Sequence, residues 1–335
     1  MGERNEGVVL RSRPVGLLRH EDVELVDLPM PEPPENGFVV EVDWIGIDAT
    51  VRSWLNEGEG YFPAVEPGEV VRSSGSGRVI ASRTPNFREG DVATALTGWQ
   101  RYVALDDNIL STNVGRADEV DQEAHLAVYG SAGMTAYIGM LEVGEIKNGE
   151  TVVVSAAAGA TGSVAAQIAK IHGCRVIGIA GTEEKCRWLV DDLGLDGAID
   201  HRSDDVPARL KELCPKRVDV FFDNVGGPVL DQVLARIANG ARVVLCGAIS
   251  SYNDEHRPPG PANYLNLIQR RASMRGFLTL DHWGRFREIQ PILQGWIESG
   301  QLTYRTEVFE GLESAVDAMN AMFTGANTGK VVIKL

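Results

Sequence analysis

The chain has 335 residues, 44% of them hydrophobic and 24% charged, and a formal net charge of −15 at pH 7. This length predicts two domains, and the acidic balance disfavours a nucleic-acid partner, which clustered Lys and Arg would bind. The charged N-terminus (MGERNEGVVL) is unlike a signal peptide and no apolar run approaches the roughly 18 residues of a membrane span, so we expect a cytoplasmic protein without membrane contact.

The first 127 residues are rich in Gly and Pro and contain short runs typical of β-strands, such as 38–42 and 77–80. They predict a β-rich, barrel-like domain over residues 1–127.

From residue 128 to residue 300, strand-like runs alternate with amphipathic segments. The predicted strands are 151–156, 174–179, 218–223, 242–246 and 273–278. This alternation predicts a parallel, doubly wound sheet. The last part, 301–335, contains a helical segment (312–323) and a closing strand (330–334), and we expect it to return to the first domain.

The segment Thr151–Lys170 (TVVVSAAAGATGSVAAQIAK) predicts a buried strand that passes through a small-residue turn into a helix. Gly159 would let a pyrophosphate approach the backbone, and Gly162 would let the helix pack against its strand. Ala157 stands where G-x-G-x-x-G has its first glycine, and a lone glycine pattern is weakly specific. The segment therefore predicts a dinucleotide site, with a ligand-free turn as the alternative.

In open α/β sheets the ligand lies beyond the carboxyl ends of the strands. The second predicted strand ends in Ala180-Gly181-Thr182, with no carboxylate at the tip, and Lys185 falls in the first turn of the next helix. A cation there opposes the helix dipole by about 0.3–1 kcal/mol. An anion such as the 2′-phosphate of NADP would explain it; the alternative is a surface lysine offset by its neighbouring glutamates.

Two further strand ends carry candidate residues. Asn224, in FDNVGG, could contact ribose or nicotinamide, or could simply form a turn before a helix. In CGAISSYN, small residues lead to Tyr252, whose phenol could lie over a nicotinamide. Nothing in the sequence near Cys246 would lower its pKa, so we expect a packed strand residue rather than a nucleophile.

Other chemistries find no support. Residues 325–330 lack P-loop spacing, G-x-S-x-G is absent, and the six histidines form no metal-spaced pair. The four cysteines, all after residue 173, have no C-x-x-C spacing, which suits a reducing compartment.

With these residues in view, the chain resembles the zinc-free prostaglandin reductase (leukotriene hydroxydehydrogenase, alkenal/one oxidoreductase) branch of the medium-chain dehydrogenase/reductase superfamily. The match is densest in MTAY (134–137), 155–170, 181–185, FDNVGG (222–227), CGAISSYN (246–253) and NTGK (327–330). The resemblance implies a GroES-like catalytic domain built from both chain ends, a Rossmann NADP-binding domain, NADPH as cofactor and a homodimer. Zinc alcohol dehydrogenases need a set of Cys, His and acidic ligands in the first domain and a four-cysteine lobe. Because residues 1–173 contain no cysteine, we expect no zinc.

The resemblance also assigns cofactor contacts to individual positions. They are Gly159, Ala160, Thr161 and Gly162 for the pyrophosphate turn, Lys185 for phosphate, His201 where the family has a tyrosine, Asn224, the nicotinamide-side loop Cys246, Gly247, Ala248, Ile249, Ser250, Ser251 and Tyr252, the backbone strand Phe277, Leu278 and Thr279, and Asn327. A histidine at position 201 could make cofactor affinity depend on pH.

The implied reaction is NADPH-dependent reduction of a carbon–carbon double bond conjugated to a carbonyl. Hydride goes to the β-carbon, and Tyr252, with the nicotinamide ribose hydroxyl, would stabilise the resulting enolate; alternatively, Tyr252 only covers the cofactor. We expect a small apolar α,β-unsaturated carbonyl substrate near Arg52, Tyr61 and Phe62. The segment IDATVR (47–52) replaces the family's usual D-P-Y-M-R, which leaves the substrate open. An NADPH-dependent quinone reductase and a non-enzymatic NADPH-binding protein remain as alternatives.

Overall fold

A computed structural model describes residues 4–58, 60–256 and 258–335. The strands, in chain order, are β1 (Asn5–Leu10), β2 (Val23–Leu28), β3 (Gly37–Ile47), β4 (Ser74–Ser82), β5 (Asp91–Ala95), β6 (Tyr102–Asp106), β7 (Thr112–Arg116), β8 (Thr151–Ser155), β9 (Arg175–Ala180), β10 (Gly197–Asp200), β11 (Val218–Asp223), β12 (Ile237–Leu245), β13 (Ser273–Gly276), β14 (Thr306–Glu310) and β15 (Lys330–Lys334).

The α-helices are α1 (Thr50–Trp54), α2 (Gln122–Ala127), α3 (Ser131–Ile138), α4 (Ala160–Ile171), α5 (Glu183–Arg187), α6 (Val206–Leu213), α7 (Gly227–Leu234), α8 (Leu265–Arg270), α9 (Phe286–Glu298) and α10 (Ala315–Thr324). Short 3-10 turns span His20–Asp22, Ile249–Ser251, Ala262–Tyr264, Thr279–Arg285 and Leu312–Ser314, and π turns span Gly139–Val143 and Trp188–Asp192.

The chain divides into two compact units, the first formed by Met1–Ala127 with Thr306–Leu335 and the second by Val128–Arg305. The boundary predicted from the sequence lies after residue 300. The residues that follow belong to the second unit because the backbone N–H and carbonyl of Thr303 both pair with the Gln167 side chain, each at 2.9 Å.

The second unit contains a six-stranded sheet in the order β10-β9-β8-β11-β12-β13. All neighbouring strands are parallel. Numbered within the unit this is the order 3-2-1-4-5-6 of doubly wound dinucleotide-binding sheets, whose direction of winding reverses between β8 and β11. The predicted parallel, doubly wound sheet is confirmed.

Individual strand limits differ from the prediction. The short strand β10 (GAID) was not among the predicted runs, because it has a single β-branched residue. The strand β12 begins at Ile237, earlier than expected, and β13 ends at Gly276 rather than at residue 278. The carboxyl ends of the strands, which matter for the site, lie close to their predicted positions.

The first unit has a mixed seven-stranded sheet. Six of its strands follow the order β14-β15-β3-β4-β5-β7, and the seventh, β6, pairs with β3. The strands β1 and β2 form a separate pair. Its core includes Phe38 and Phe87, whose rings stack at 3.9 Å. The closing strand β15 lies between β14 and β3 in this sheet. The end of the chain is further held by an ion pair between Asp48 and the buried ammonium of Lys330.

Across residues 4–58, 60–256 and 258–335, no helix is long and apolar enough to cross a membrane.

Candidate active site

The turn between β8 and α4 is shaped by a glycine that no larger residue could replace without movement. A Cβ added to Gly162 would lie 2.2 Å from the carbonyl oxygen of Ala156 and 3.0 Å from the Cα of Ala157. Ala156 itself has a φ of 46°, a left-handed conformation that is uncommon for alanine. The first turn of α4 therefore packs directly on the end of β8, as predicted for Gly162.

Gly159 precedes the helix and has a different environment. Its added Cβ would meet only the Ala156 carbonyl oxygen, at 3.3 Å, and its φ of −86° would suit any residue. As the N-cap it offers no side-chain acceptor to the helix, and Gly159, Ala160 and Thr161 are partly exposed. This end of α4 can receive an anion on its backbone N–H groups and positive dipole end.

Ala157, at the position of the first motif glycine, is fully buried and faces β9. A Cβ added to Gly178 of β9 would lie 3.0 Å from the Ala157 methyl group. The glycine in the neighbouring strand thus makes room for the alanine in the turn.

The tip of β9 carries a group of basic side chains. A Cβ added to Gly181 would lie 3.1 Å from Nε2 of His201 and 3.4 Å from Nε of Arg202. Lys185 lies on α5, whose N-cap Thr182 accepts the Lys185 backbone N–H at 3.2 Å. Desolvation, followed by the charge of Arg202, lowers the pKa of His201; Lys185 acts in the same direction.

A buried polar network joins the tips of β8 and β11, where the winding reverses. Oδ1 of Asp223 accepts hydrogen bonds from Ser155 Oγ (2.7 Å) and from the backbone N–H groups of Val225 (3.0 Å) and Gly226 (3.2 Å). Asn224 donates its side-chain N–H to the Ser155 carbonyl at 2.7 Å. Burial raises the pKa of Asp223, although these hydrogen bonds oppose the shift. Asn224 is therefore held at the crevice edge by Ser155.

The loop after β12 is connected to the same network. The backbone N–H groups of Cys246 and Gly247 donate to the Asp223 carbonyl, and Ser250 Oγ donates to the Val225 carbonyl at 2.6 Å. Desolvation, together with the charge of Asp223, raises the pKa of Cys246 to about 12, which agrees with a packed thiol.

Tyr252 folds back over the start of this loop. Its phenol oxygen accepts the Ala248 backbone N–H at 3.1 Å, and a Cβ on Gly247 would lie 3.3 Å from it. The hydroxyl thus lies at the tip of β12. In this bond the phenol oxygen is the acceptor of the hydrogen bond.

Phe277, Leu278 and Thr279 follow β13 at the same edge of the sheet, but as an irregular segment that enters a 3-10 turn, not as a strand. Thr279 Oγ1 is hydrogen-bonded to Thr135 Oγ1 at 2.6 Å. The predicted cofactor residues of the second unit thus all lie just after the carboxyl ends of its parallel strands or in a helix that begins there.

Asn327 lies in the first unit, where its side-chain N–H donates to the Gly329 carbonyl at 3.1 Å. Tyr61 and Phe62 also lie there, with ring centroids 5.5 Å apart, and line a small pocket with Trp54. The Tyr61 hydroxyl is hydrogen-bonded to Thr50, the residue that replaces the family's tyrosine.

Arg52 has a structural environment instead of the expected substrate-facing one. It is only 2% exposed, and its guanidinium donates to the carbonyls of Pro14 (3.0 Å) and Gly16 (2.9 Å) and to Asn56 Oδ1 (2.6 Å). The bonds to Pro14 and Gly16 hold α1 to the loop that follows β1.

Sequence reasoning missed three residues of this region, namely Ser155, Asp223 and Arg202. A polar residue that ends an otherwise apolar run, as in VVVS and VFFD, was the available signal for the first two. Arg202 gave none, because its proximity to Gly181 depends on the pairing of β9 with β10.

Within the residues that the structure describes, no group of three or more His, Cys, Asp or Glu side chains could hold a metal ion.

Comparisons with known proteins follow the same division of the chain. Residues 6–112 match a family described as the N-terminal domain of oxidoreductase, and residues 160–294 match one described as zinc-binding dehydrogenase. The chain is 35% identical to an NADPH-dependent curcumin reductase from Escherichia coli K12, over 99% of this chain and 97% of the relative. It is also 35% identical to a 2-alkenal reductase (NADP(+)-dependent) from Nicotiana tabacum, over 98% and 97%.

A crystal structure of CurA in complex with NADPH, from Vibrio vulnificus, superposes with a TM-score of 0.93 at 36% identity and 98% coverage of both chains. These matches extend over nearly the whole chain, and they agree with the cofactor-site motifs and the 3-2-1-4-5-6 sheet. The chain therefore belongs to the zinc-free prostaglandin reductase and alkenal reductase branch of the medium-chain dehydrogenase/reductase superfamily.

Proposed function

We propose that this protein is an NADPH-dependent reductase of carbon–carbon double bonds conjugated to a carbonyl group. The observation that carries the proposal is the meeting, at one edge of a parallel sheet, of a helix N-terminus behind a glycine turn, a basic group at the tip of β9 and a phenol at the tip of β12. The 2-alkenal and curcumin reductases among the relatives, and the NADPH complex among the similar structures, support the substrate class and the cofactor.

The residues present fit a dinucleotide phosphate. Gly159 leaves open space beside the first N–H groups of α4, and Gly162 brings that helix end onto the sheet. Lys185 and His201 lie at the next strand tip, where a 2′-phosphate needs positive charge. When bound, NADPH supplies the hydride that adds to the β-carbon of the substrate.

Tyr252 is the proposed donor to the substrate. As the β-carbon gains hydride, negative charge develops on the carbonyl oxygen, and a positioned hydroxyl lowers the energy of that enolate. The Ala248 N–H donated to the phenol oxygen both fixes the ring and polarises the O–H, which strengthens it as a donor. The α-carbon of the enolate then takes a proton from solvent water, and the saturated carbonyl product forms.

A turnover panel tests this proposal. Purified protein is mixed with NADPH and either an alkenal, a cyclic enone, or a simple quinone, and NADPH consumption and the reduced product are measured. We expect saturated aldehyde or ketone from the first two. Turnover of the quinone alone would identify a quinone reductase, and tight NADPH binding without any turnover would favour a non-enzymatic role.

We further propose that the protein is a homodimer. The strand β13 lies at one end of the six-stranded sheet, and near it α8 and the turn before it expose Tyr264, Leu265 and Ile268, the last at 72%. An open strand edge beside apolar side chains favours pairing with a second copy. Sedimentation equilibrium should give twice the chain mass, and Ile268→Asp should shift the population towards monomer; a wild-type monomer would contradict the proposal.

A further inference from the structure

Three elements of the second unit bring basic side chains to one point at the tip of β9. The strand ends at Ala180, and Gly181 follows without a side chain. A Cβ built on Gly181 would lie 3.1 Å from Nε2 of His201 and 3.4 Å from Nε of Arg202, so both side chains lie close to this glycine. Lys185 comes from α5, which begins just after this glycine. In a chain of net charge −15, such a grouping concentrates positive charge at a single strand end.

The backbone around Arg202 is fixed by hydrogen bonds. The His201 N–H donates to the Ala180 carbonyl at 2.9 Å, which ties the segment after β10 to the end of β9. The Arg202 N–H donates to Asp200 Oδ1 at 3.0 Å, and Ser203 Oγ donates to Asp200 Oδ2 at 2.9 Å. The Asp200 carboxylate thus accepts two hydrogen bonds from its own turn, and the backbone of Arg202 has a defined position.

The electrostatics agree with this grouping. Desolvation lowers the pKa of His201 most, the charges of Arg202 and Lys185 lower it further, and the charge of Asp200 acts in the opposite direction. A dianion placed among these three side chains would remove that mutual repulsion and would gain charge-assisted hydrogen bonds.

We propose that Arg202 binds the 2′-phosphate of NADPH together with Lys185 and so determines the preference for NADPH over NADH. This inference rests on the proposed function, because it assumes that the adenosine end of the cofactor lies at the tip of β9. NADPH and NADH differ only in this phosphate, so a residue that contacts it changes affinity for one cofactor and not for the other. A guanidinium, with its planar fork of donors, suits a phosphate better than a second ammonium would.

The experiment measures binding rather than turnover. Dissociation constants for NADPH and NADH are determined by calorimetry for the wild type, Arg202→Gln, Lys185→Gln and the double variant. Arg202→Gln should weaken NADPH by about tenfold, as expected for the loss of about 1.4 kcal/mol from one charge-assisted contact, and should leave NADH within about twofold. Arg187→Gln is the matched control. Arg187 lies on α5, the helix that carries Lys185, and its Nε lies 3.9 Å from Oε1 of Glu183.

Fragments isolate the subsite. Adenosine 2′,5′-bisphosphate should lose affinity for Arg202→Gln as NADPH does, whereas 5′-AMP should not, and Arg202→Lys should retain an intermediate affinity. If Arg202→Gln weakens the binding of NADPH and NADH equally, or of neither, the assignment is overturned. If NADPH affinity depends on Arg202 but no conjugated alkene is reduced, the reductase proposal fails while this one stands; if NADPH does not bind at all, both fail.

Discussion

The two glycines of the cradle should respond oppositely to the same added methyl group. In Gly162→Ala the new Cβ would start 2.2 Å from the Ala156 carbonyl oxygen, and the three nearest atoms, all within 3.0 Å, are backbone atoms. Real Cβ atoms essentially never approach closer than 3.0 Å, so the helix or the turn must move by about 0.8 Å. In Gly159→Ala the same oxygen lies at 3.3 Å, which requires a shift of only a few tenths of an ångström.

These distances convert into different stabilities. Overpacking against a rigid neighbour costs about 1–3 kcal/mol, which for a unit of this size corresponds to a fall in Tm of roughly 2–12 °C for Gly162→Ala. Gly159→Ala should change Tm by less than about 2 °C, because its φ suits alanine and the loss of chain entropy on folding is smaller for alanine than for glycine. Its methyl group would instead occupy space next to the helix N-terminus, and NADPH affinity should fall at least about tenfold.

Thermal unfolding without ligand gives the stability, and calorimetric titration with NADPH gives the affinity. Both variants are measured beside the wild type in one buffer, since any bound ligand raises Tm. A Gly162→Ala protein as stable as the wild type would refute the close packing of α4 on β8. A Gly159→Ala protein that binds NADPH normally would refute the placement of phosphate at this helix end.

Three further predictions concern the strand tips. Tyr252→Phe should lower kcat for an enone by about 10–100-fold while NADPH affinity changes less than about threefold, because the hydrogen bond from the phenol to the substrate oxygen strengthens only as the enolate forms. A variant with the wild-type kcat in a steady-state assay would exclude the donor role. Asp223→Asn should lower both Tm and NADPH affinity, because the new amide N–H would face the backbone N–H groups that now donate to the carboxylate. Asp219→Asn, on the same strand, is the control and should leave NADPH affinity unchanged. An Asp223→Asn protein with wild-type NADPH affinity would contradict the positioning role. Desolvation and the charge of Arg202 hold the pKa of His201 below its ordinary value in the free protein, and a bound 2′-phosphate should raise it. NADPH affinity relative to NADH should therefore be higher in the wild type than in His201→Gln at the low-pH end of a titration and should converge with it at high pH; identical pH profiles for the two proteins would exclude the histidine.

The predicted cradle shows why part of the site could be found from the sequence. The residues of β8 are buried on both faces and so form a continuous apolar run, and the glycine spacing after it is a local steric requirement of one turn. Both signals lie within twenty consecutive residues. For the same reason the strand ends carrying Asn224 and Tyr252 could be located without the structure.

The network beneath them could not be assigned in the same way. Asp223 and Ser155 are 68 residues apart, and their hydrogen bond exists only because β11 lies directly beside β8. A sequence pattern predicts the strands but not their order across the sheet, which depends on the path of the crossover helices. The role of Arg52 also depended on distant contacts, since its partner carbonyls at Pro14 and Gly16 lie in a loop far along the chain.

The doubly wound unit and the residues that end its strands could be predicted from the sequence, because periodicity and glycine spacing act over short stretches of chain. The family could be identified from the resemblance of the strand-end motifs. The tertiary structure alone decided which side chains meet at those ends. It placed Arg202 beside Gly181 and Ser155 beside Asp223, through strand pairings that bring together residues with no local relation in the chain.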